Sequence, residues 1–200
     1  MLDIDLGTYP YVTSSSTTVA SIFSGLGINP KKVNCVAGVL KAYTTRVGEG
    51  PFPTELHDDV GSGIRKRGVE FGTTTGRPRR CGWLDLVLAK YTNMLNGYDY
   101  FNLTKIDILT GLQKLKIAIS YSIDGKELPG FPSNLDDLAR VEVKYVEFDG
   151  WTEDISQCKS YNQLPANCRA YVEFVEQELG VPIKWIGVGP QREAMITRDV

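Results

Sequence analysis

The chain has 200 residues, 42% of them hydrophobic and 23% charged, the composition of an ordinary folded protein with enough chain for one sizeable core or two small ones. Its 22 Lys and Arg against 24 Asp and Glu leave a net charge of −2, so overall charge gives no pull toward nucleic acid. No apolar run reaches membrane-spanning length, and the opening MLDIDLGTYP lacks the basic and apolar regions of a secretory signal, so a cytoplasmic protein with no membrane or nucleic-acid partner is expected.

In chain order, the hydroxyl run Ser14 to Thr18 offers caps for a short helix over Val19 to Leu26. Val33 to Val47 is rich in β-branched and small apolar residues and predicts a buried strand. Arg65 to Glu70 reads as polar and exposed. Leu84, Val87, Leu88, Tyr91 and Leu95 recur at helical spacing, which predicts a helix over Trp83 to Leu95 stopped by Asn96-Gly97. Phe101 to Lys105 reads as a short strand. Ile117, Ile119, Tyr121 and Ile123 alternate up to Asp124-Gly125, a strong hairpin turn, and Val141, Val143 and Tyr145 alternate again as a neighbouring strand. Tyr171, Phe174, Val175 and Leu179 mark a helix closed by Gly180, and Ile183 to Val188 a last strand running into Gly189-Pro190. Helices alternating with strands, followed by a hairpin, predict an α/β fold with a partly parallel sheet and an antiparallel extension, with no linker to divide it.

Four cysteines, Cys35, Cys81, Cys158 and Cys168, form no CxxC pair, and His57 is the single histidine. That argues against a zinc site. The cysteines read as reduced and mostly buried. His57, between Leu56 and Asp58, reads as a surface residue around which no Ser–His–Asp or Cys–His arrangement is built.

Three constellations could carry chemistry. In Gly72-Thr73-Thr74-Thr75-Gly76-Arg77-Pro78-Arg79-Arg80, glycines bracket three hydroxyls and three arginines follow just before a helix. Backbone N–H groups, hydroxyls and guanidinium forks suit a carboxylate or phosphate, although a solvated basic turn has the same composition. Leu103-Thr104-Lys105-Ile106-Asp107 is a strand end of the kind that reads guanine in NKxD elements. An aspartate there accepts from both N1–H and the 2-amino group, while a lysine stem lies over the base. Thr104 replaces the usual Asn, and a chance occurrence stays open. Gly187-Val188-Gly189-Pro190 puts small residues at the C-terminal end of a strand, where a ligand can approach the backbone or where the chain simply turns. No GxxxxGK[ST] phosphate loop occurs in the chain.

Taken in order, the stretches LDIDLGTYPYVTSSSTT (2–18), LKAYTTRVGEGPFPTEL (40–56), EFGTTTGRPRRCGWLDLV (70–87), LTKIDILTGL (103–112) and IGVGPQREAMI (186–196) resemble the adenylosuccinate synthetases, with RCGWLDL and GVGPQRE closer to eukaryotic members. The resemblance covers essentially the whole chain. It implies the C-terminal part of a P-loop-NTPase-like mixed sheet with flanking helices and an antiparallel hairpin extension, residues 1–200 being part of one domain. It also implies a ligase of AMP biosynthesis. GTP phosphorylates the 6-oxygen of IMP, and aspartate displaces that phosphate to give adenylosuccinate, GDP and phosphate. A non-catalytic nucleotide-binding module is the second reading.

By the same resemblance Thr13 meets the IMP phosphate and Arg77 lies near the IMP ribose. Val47, Gly48 and the loop Thr73, Thr74, Thr75, Gly76, Arg77, Pro78 and Arg79 bind aspartate. Arg79 also reaches toward GTP, Lys105, Ile106 and Asp107 read the guanine, and Gly187, Val188 and Gly189 flank the base on its other side. Pro78 departs from the basic residue of many members and should stiffen the loop. The resemblance places the catalytic base, the assisting histidine and the Mg2+ ligands in a front half outside these residues, so no catalytic residue is expected in this chain. It also suggests a homodimer for the whole enzyme, with an arginine donated across the interface.

Overall fold

The computed structural model describes residues 2–74 and 76–200. In chain order the elements are α1 (Ala20–Leu26), β1 (Ala37–Lys41), β2 (Thr44–Arg46), α2 (Asp59–Arg67), β3 (Arg80–Gly82), β4 (Leu84–Asp85), α3 (Leu86–Asn96) and β5 (Tyr100–Thr104). They are followed by β6 (Lys114–Ile123), β7 (Lys126–Glu127), α4 (Leu135–Arg140), β8 (Glu142–Asp149), α5 (Ala166–Leu179), β9 (Ile183–Gly187) and β10 (Met195–Thr197). One further 3-10 turn matters below, Ile106–Leu109.

Two sheets and a ribbon result. β1, β5 and β9 run parallel in that order, with β10 antiparallel on β9. The parallel arrangement needs crossover connections, and α3 and α5 supply helical ones. In the second sheet β6 pairs β4 in parallel and β8 and β7 antiparallel. The β6–β7 turn is the predicted Asp124-Gly125, both at positive φ (51° and 75°), the backbone a two-residue hairpin requires. β2 and β3 form a separate antiparallel ribbon. One core joins the layers through Leu84, Leu86, Phe101, Leu103, Leu115, Ile117, Tyr171, Val175, Ile183 and Ile186. The helices over Leu86–Asn96 and Ala166–Leu179 stop at Gly97 and Gly180, both left-handed as the sequence predicts.

The structure corrects several expectations. Val33 to Val47 is two strands separated by a turn at Ala42-Tyr43. β1 is an edge among the described strands, with Val39 74% exposed. Its apolar residues alternate rather than being buried on both faces. The Ser14–Thr18 run does not cap α1 through a side chain; Val19 occupies the cap, and its N–H donates to Asn96 Oδ1. Trp83 precedes a short strand, and α3 begins at Leu86, where the Asp85 carboxylate accepts from the Leu88 N–H. Tyr121 donates to the other oxygen of that buried carboxylate, and burial pushes the Asp85 carboxyl up. Two cysteines, Cys81 and Cys168, are buried; Cys158 is half-buried and Cys35 exposed, all four free. His57 is on the surface, its side chain 82% exposed.

The elements that escaped the sequence reading include α2, α4 and β10. α2 carries two glycines, which lower helix propensity and mask its periodicity. Gly61 has a packing reason, since a Cβ there would lie 2.4 Å from Leu56 O. α4 and β10 are too short for a periodic signal. Arg65 to Glu70, read as exposed, ends on a carboxylate with no solvent-accessible surface.

Candidate functional site

The buried carboxylate is Glu70, which follows α2 and enters the loop at Phe71–Arg79. Lys41 Nζ lies 2.9 and 3.0 Å from its two oxygens, Tyr43 Oη donates at 2.6 Å, Arg79 donates from Nη1 at 2.9 Å, and Lys105 Nζ is 3.3 Å away. Burial by itself would raise the Glu70 carboxyl. The hydrogen bonds from Tyr43, Lys41 and Arg79 outweigh it and hold the group at about 2, so it is ionised throughout the physiological range. Burial lowers Lys41 against the pull of Glu70. The three cations come from the last residue of β1, the end of the loop and the residue after β5. Lys41 and Thr104 are register partners at the C-terminal ends of parallel strands, the edge at which open α/β sheets bind ligands.

That edge carries the predicted guanine reader. Lys105 sits directly after β5 in the left-handed region (φ 61°), an uncommon backbone for a residue other than glycine. Its ammonium group reaches Gly68 O at 2.6 Å as well as Glu70, which anchors the head. Asp107 lies in the first turn of the 3-10 segment, half-buried, and burial pushes its carboxyl up despite Lys105 nearby. Ile106 is fully buried in the core, so its side chain is not available to a ligand. The turn is braced: Arg67 donates to Thr110 O at 2.7 Å, and Trp151 Nε1 donates to Thr110 Oγ1 at 3.0 Å. β9 pairs with β5, so Gly187 comes alongside. A Cβ on it would lie 3.4 Å from Thr104 Cα and 3.8 Å from Lys105 N. The buried Val188 donates its N–H to Ala194 O, which sets the turn through Gly189. The structure therefore brings Lys105–Asp107 and Gly187–Gly189 together.

It also gathers the predicted aspartate elements. The loop closes as a hairpin: a bridge joins Phe71 and Pro78, Gly72 N–H donates to Arg77 O at 2.8 Å, and Gly76 N–H to Gly72 O at 2.8 Å. Gly76 lies at φ 64°. Thr73, Thr74, Gly76, Arg77 and Pro78 are exposed at its tip; Thr75 lies outside the described residues. The loop runs into β3, which pairs β2, so Val47 and Gly48 emerge from the same ribbon end. Arg77 reaches across to Glu49, at 3.7 Å. Arg80 clamps the facing turn, bonding Glu55 and donating to Gly48 O at 3.1 Å and Gly50 O at 2.8 Å. Of the three arginines after the loop, this one is spent on structure.

Thr13 is exposed and donates to Leu2 O at 2.8 Å, within the N-terminal segment. The link from that segment to the aspartate elements is Arg46, a buried residue the sequence reading missed. It donates to Thr8 Oγ1 at 3.1 Å, Tyr11 O at 3.3 Å and Glu49 O at 2.9 Å. Glu70, Lys41 and Tyr43 were missed as well. Nothing in their local sequence announces a hub assembled from three distant segments. Among the described residues no three His, Cys, Asp or Glu side chains stand together. Nor is any helix among them long and apolar enough to cross a membrane.

A mixed α/β fold whose candidate residues gather at the C-terminal ends of its parallel strands is of the P-loop-NTPase-like class. The family profile described as adenylosuccinate synthetase matches residues 1–196, and the chain belongs to that family. It is 59% identical over 198 residues to the adenylosuccinate synthetase of Coprinopsis cinerea, covering 99% of this chain and 46% of that protein. It is 58% identical to that of Mycosarcoma maydis, covering 98% and 45%. The fully ligated adenylosuccinate synthetase of Plasmodium falciparum superposes with a TM-score of 0.97 at 50% identity, covering 99% of this chain and 48% of that one. The chain thus spans about half the length of the relatives it matches.

Proposed function

We propose that this chain carries the guanine-reading, aspartate-binding and part of the IMP-binding surface of a cytoplasmic, homodimeric ligase of AMP biosynthesis, residues 1–200 being the C-terminal part of one catalytic domain. The reaction joins IMP and L-aspartate to adenylosuccinate through 6-phosphoryl-IMP, with GTP consumed and GDP and phosphate released. One observation carries the reading: in a chain of this family, the loop that ends at Arg79 and the strand end at Lys105–Asp107 converge on the same carboxylate, Glu70.

Each residue then has a task of positioning or charge stabilisation. Asp107 accepts from N1–H and the 2-amino group of guanine, with the Lys105 stem on one side of the ring and Gly187–Gly189 on the other. The loop Thr73–Arg79 closes over aspartate together with Val47 and Gly48, its hydroxyls and guanidinium groups holding carboxylates. Arg77 also lies toward the IMP ribose and Thr13 toward the IMP phosphate, and Arg79 reaches toward GTP. The base that activates IMP and the magnesium ligands belong to residues outside this chain. The test is turnover by the full-length protein supplied with IMP, aspartate and magnesium. Adenylosuccinate should form with GTP and not with ATP. Nucleotide binding without turnover would instead support a non-catalytic module.

Arg79→Leu should leave the fold intact, because Glu70 keeps Lys41, Tyr43 and Lys105 as partners. A lost charge-assisted contact costs about 1.5–3 kcal/mol, so the apparent KM for aspartate or GTP should rise roughly 10- to 100-fold. Arg79→Lys should recover little of this, because one ammonium cannot serve Glu70 and a ligand oxygen as a planar fork does. Wild-type kinetics for both substrates in both variants would remove Arg79 from the site.

A further inference from the structure

We propose that Glu70 is the positioning residue that sets the base-reading and anion-holding parts of the site relative to each other, an inference that rests on the ligase reading above for its substrates. Glu70 is fully buried and accessible to no ligand, so it acts only through its partners. Those partners are the ones that matter: Arg79 from the loop, Lys105 from the end of β5 and Lys41 from the end of β1. Three cations against one carboxylate leave two positive charges in excess near the C-terminal ends of β1 and β5. Each is only partly exposed (side chains 27–37%), so each is held rather than free to swing into solvent. A buried carboxylate with several donors costs free energy to assemble unless all its lone pairs are satisfied, and here they are, with Tyr43 taking the remaining position. The arrangement fixes the reach of Arg79 and the direction of the Lys105 stem at once. A disturbance at either cation is felt at the other through the shared anion.

The inference has a signature that a merely structural residue lacks. Removing Lys105 withdraws a counter-charge from Glu70, so Arg79 is drawn further onto Glu70 and out of the position from which it meets a substrate anion. Lys105→Met should therefore raise the KM for aspartate severalfold, although Lys105 is assigned to the guanine side. Glu70→Gln keeps the shape and an acceptor for Tyr43 but removes the charge that gathers the cations. It should raise the KM for both GTP and aspartate about tenfold, with a smaller change in kcat. In the Glu70→Gln background Lys105→Met should have no further effect on the KM for aspartate, a non-additivity that marks coupling through Glu70.

The experiment is steady-state kinetics of the full-length protein in four forms: wild type, E70Q, K105M and the double variant, each checked by thermal unfolding. The proposal fails if E70Q is folded with unchanged or lowered KM values. It fails equally if K105M leaves the KM for aspartate at its wild-type value, a result that can be read even if E70Q does not fold. Absence of wild-type turnover would overturn the ligase reading alone. Equilibrium titration of GTP into the wild type and E70Q then decides for Glu70, with equal affinity sinking it.

Discussion

Replacing Asp107 by Asn in the full-length protein is expected to move nucleotide preference from GTP to xanthosine triphosphate. Guanine offers two adjacent donors, N1–H and the 2-amino group, which a carboxylate accepts together. An asparagine has one acceptor and would set its amide against the 2-amino group, donor to donor. Losing one charge-assisted hydrogen bond costs about 1.5–3 kcal/mol, and the clash adds to it, so GTP should weaken by at least roughly 10- to 100-fold. Xanthine carries an oxygen at position 2, to which the new amide donates, so the same substitution should improve its triphosphate. The backbone supports a local effect. Asp107 lies in a turn fixed by Arg67 and Trp151 through Thr110, so the exchange should not disturb the loop that carries it. Burial raises the Asp107 carboxyl above the usual aspartate range while Lys105 draws it down. In the wild type, GTP affinity should therefore fall as pH drops toward that raised value and the carboxylate takes up its proton. The D107N variant should lose this dependence. Competition of the two triphosphates in steady-state assays checks the switch, and an unaltered GTP requirement would remove Asp107 from base recognition.

What the sequence disclosed here and what it hid divide along physical lines. Elements with long, regular patterns were legible: the helix ending at Gly97, the helix ending at Gly180 and the hairpin at Asp124-Gly125 each combine a periodic apolar face with a residue whose backbone freedom ends or turns it. The loop around Gly72–Arg79 and the strand ends at Lys105–Asp107 and Gly187–Gly189 could be singled out as candidates because the chemistry proposed for them is local, a few residues of the right type in a row. Glu70 was misread for the opposite reason. Four of the five residues before it, Arg65 to Gly68, are polar or small as on a surface, and nothing local says that Lys41, Tyr43, Arg79 and Lys105 will close over it. Arg46 was hidden likewise, since its partners Thr8 and Tyr11 lie 35 and more residues earlier. Single-residue patterns record burial by apolar periodicity, whereas a buried charge is specified by its partners, which only the tertiary fold assembles.

Expressed by itself, the 200-residue chain is expected to form no adenylosuccinate. Phosphoryl transfer needs a cradle for the β- and γ-phosphates, a metal ion and a group placed at the acceptor oxygen. The sequence contains no GxxxxGK[ST] phosphate loop. The described residues hold no cluster of three cation ligands, and the one histidine stands in solvent beside Glu55. The cations at Arg79 and Lys105 are committed to Glu70, and they stabilise charge without activating a nucleophile. The first sheet also has a face that these residues leave incompletely covered. Val39, Asn102 and Trp185 are register partners across β1, β5 and β9, so they share that face. Val39 is largely exposed, and Asn102 Oδ1 is buried without a hydrogen-bond partner. An unsatisfied buried acceptor costs about 1–3 kcal/mol, and exposed apolar sheet surface favours self-association, so the isolated chain should be poorly soluble as well as silent. The decisive comparison expresses it alone and fused to the remaining half of the Coprinopsis cinerea relative, then follows adenylosuccinate with IMP, GTP, aspartate and magnesium. Turnover by the lone chain would mean that the activating groups lie within these residues after all. Silence from a folded fusion would mean that this chain does not support the ligase reaction.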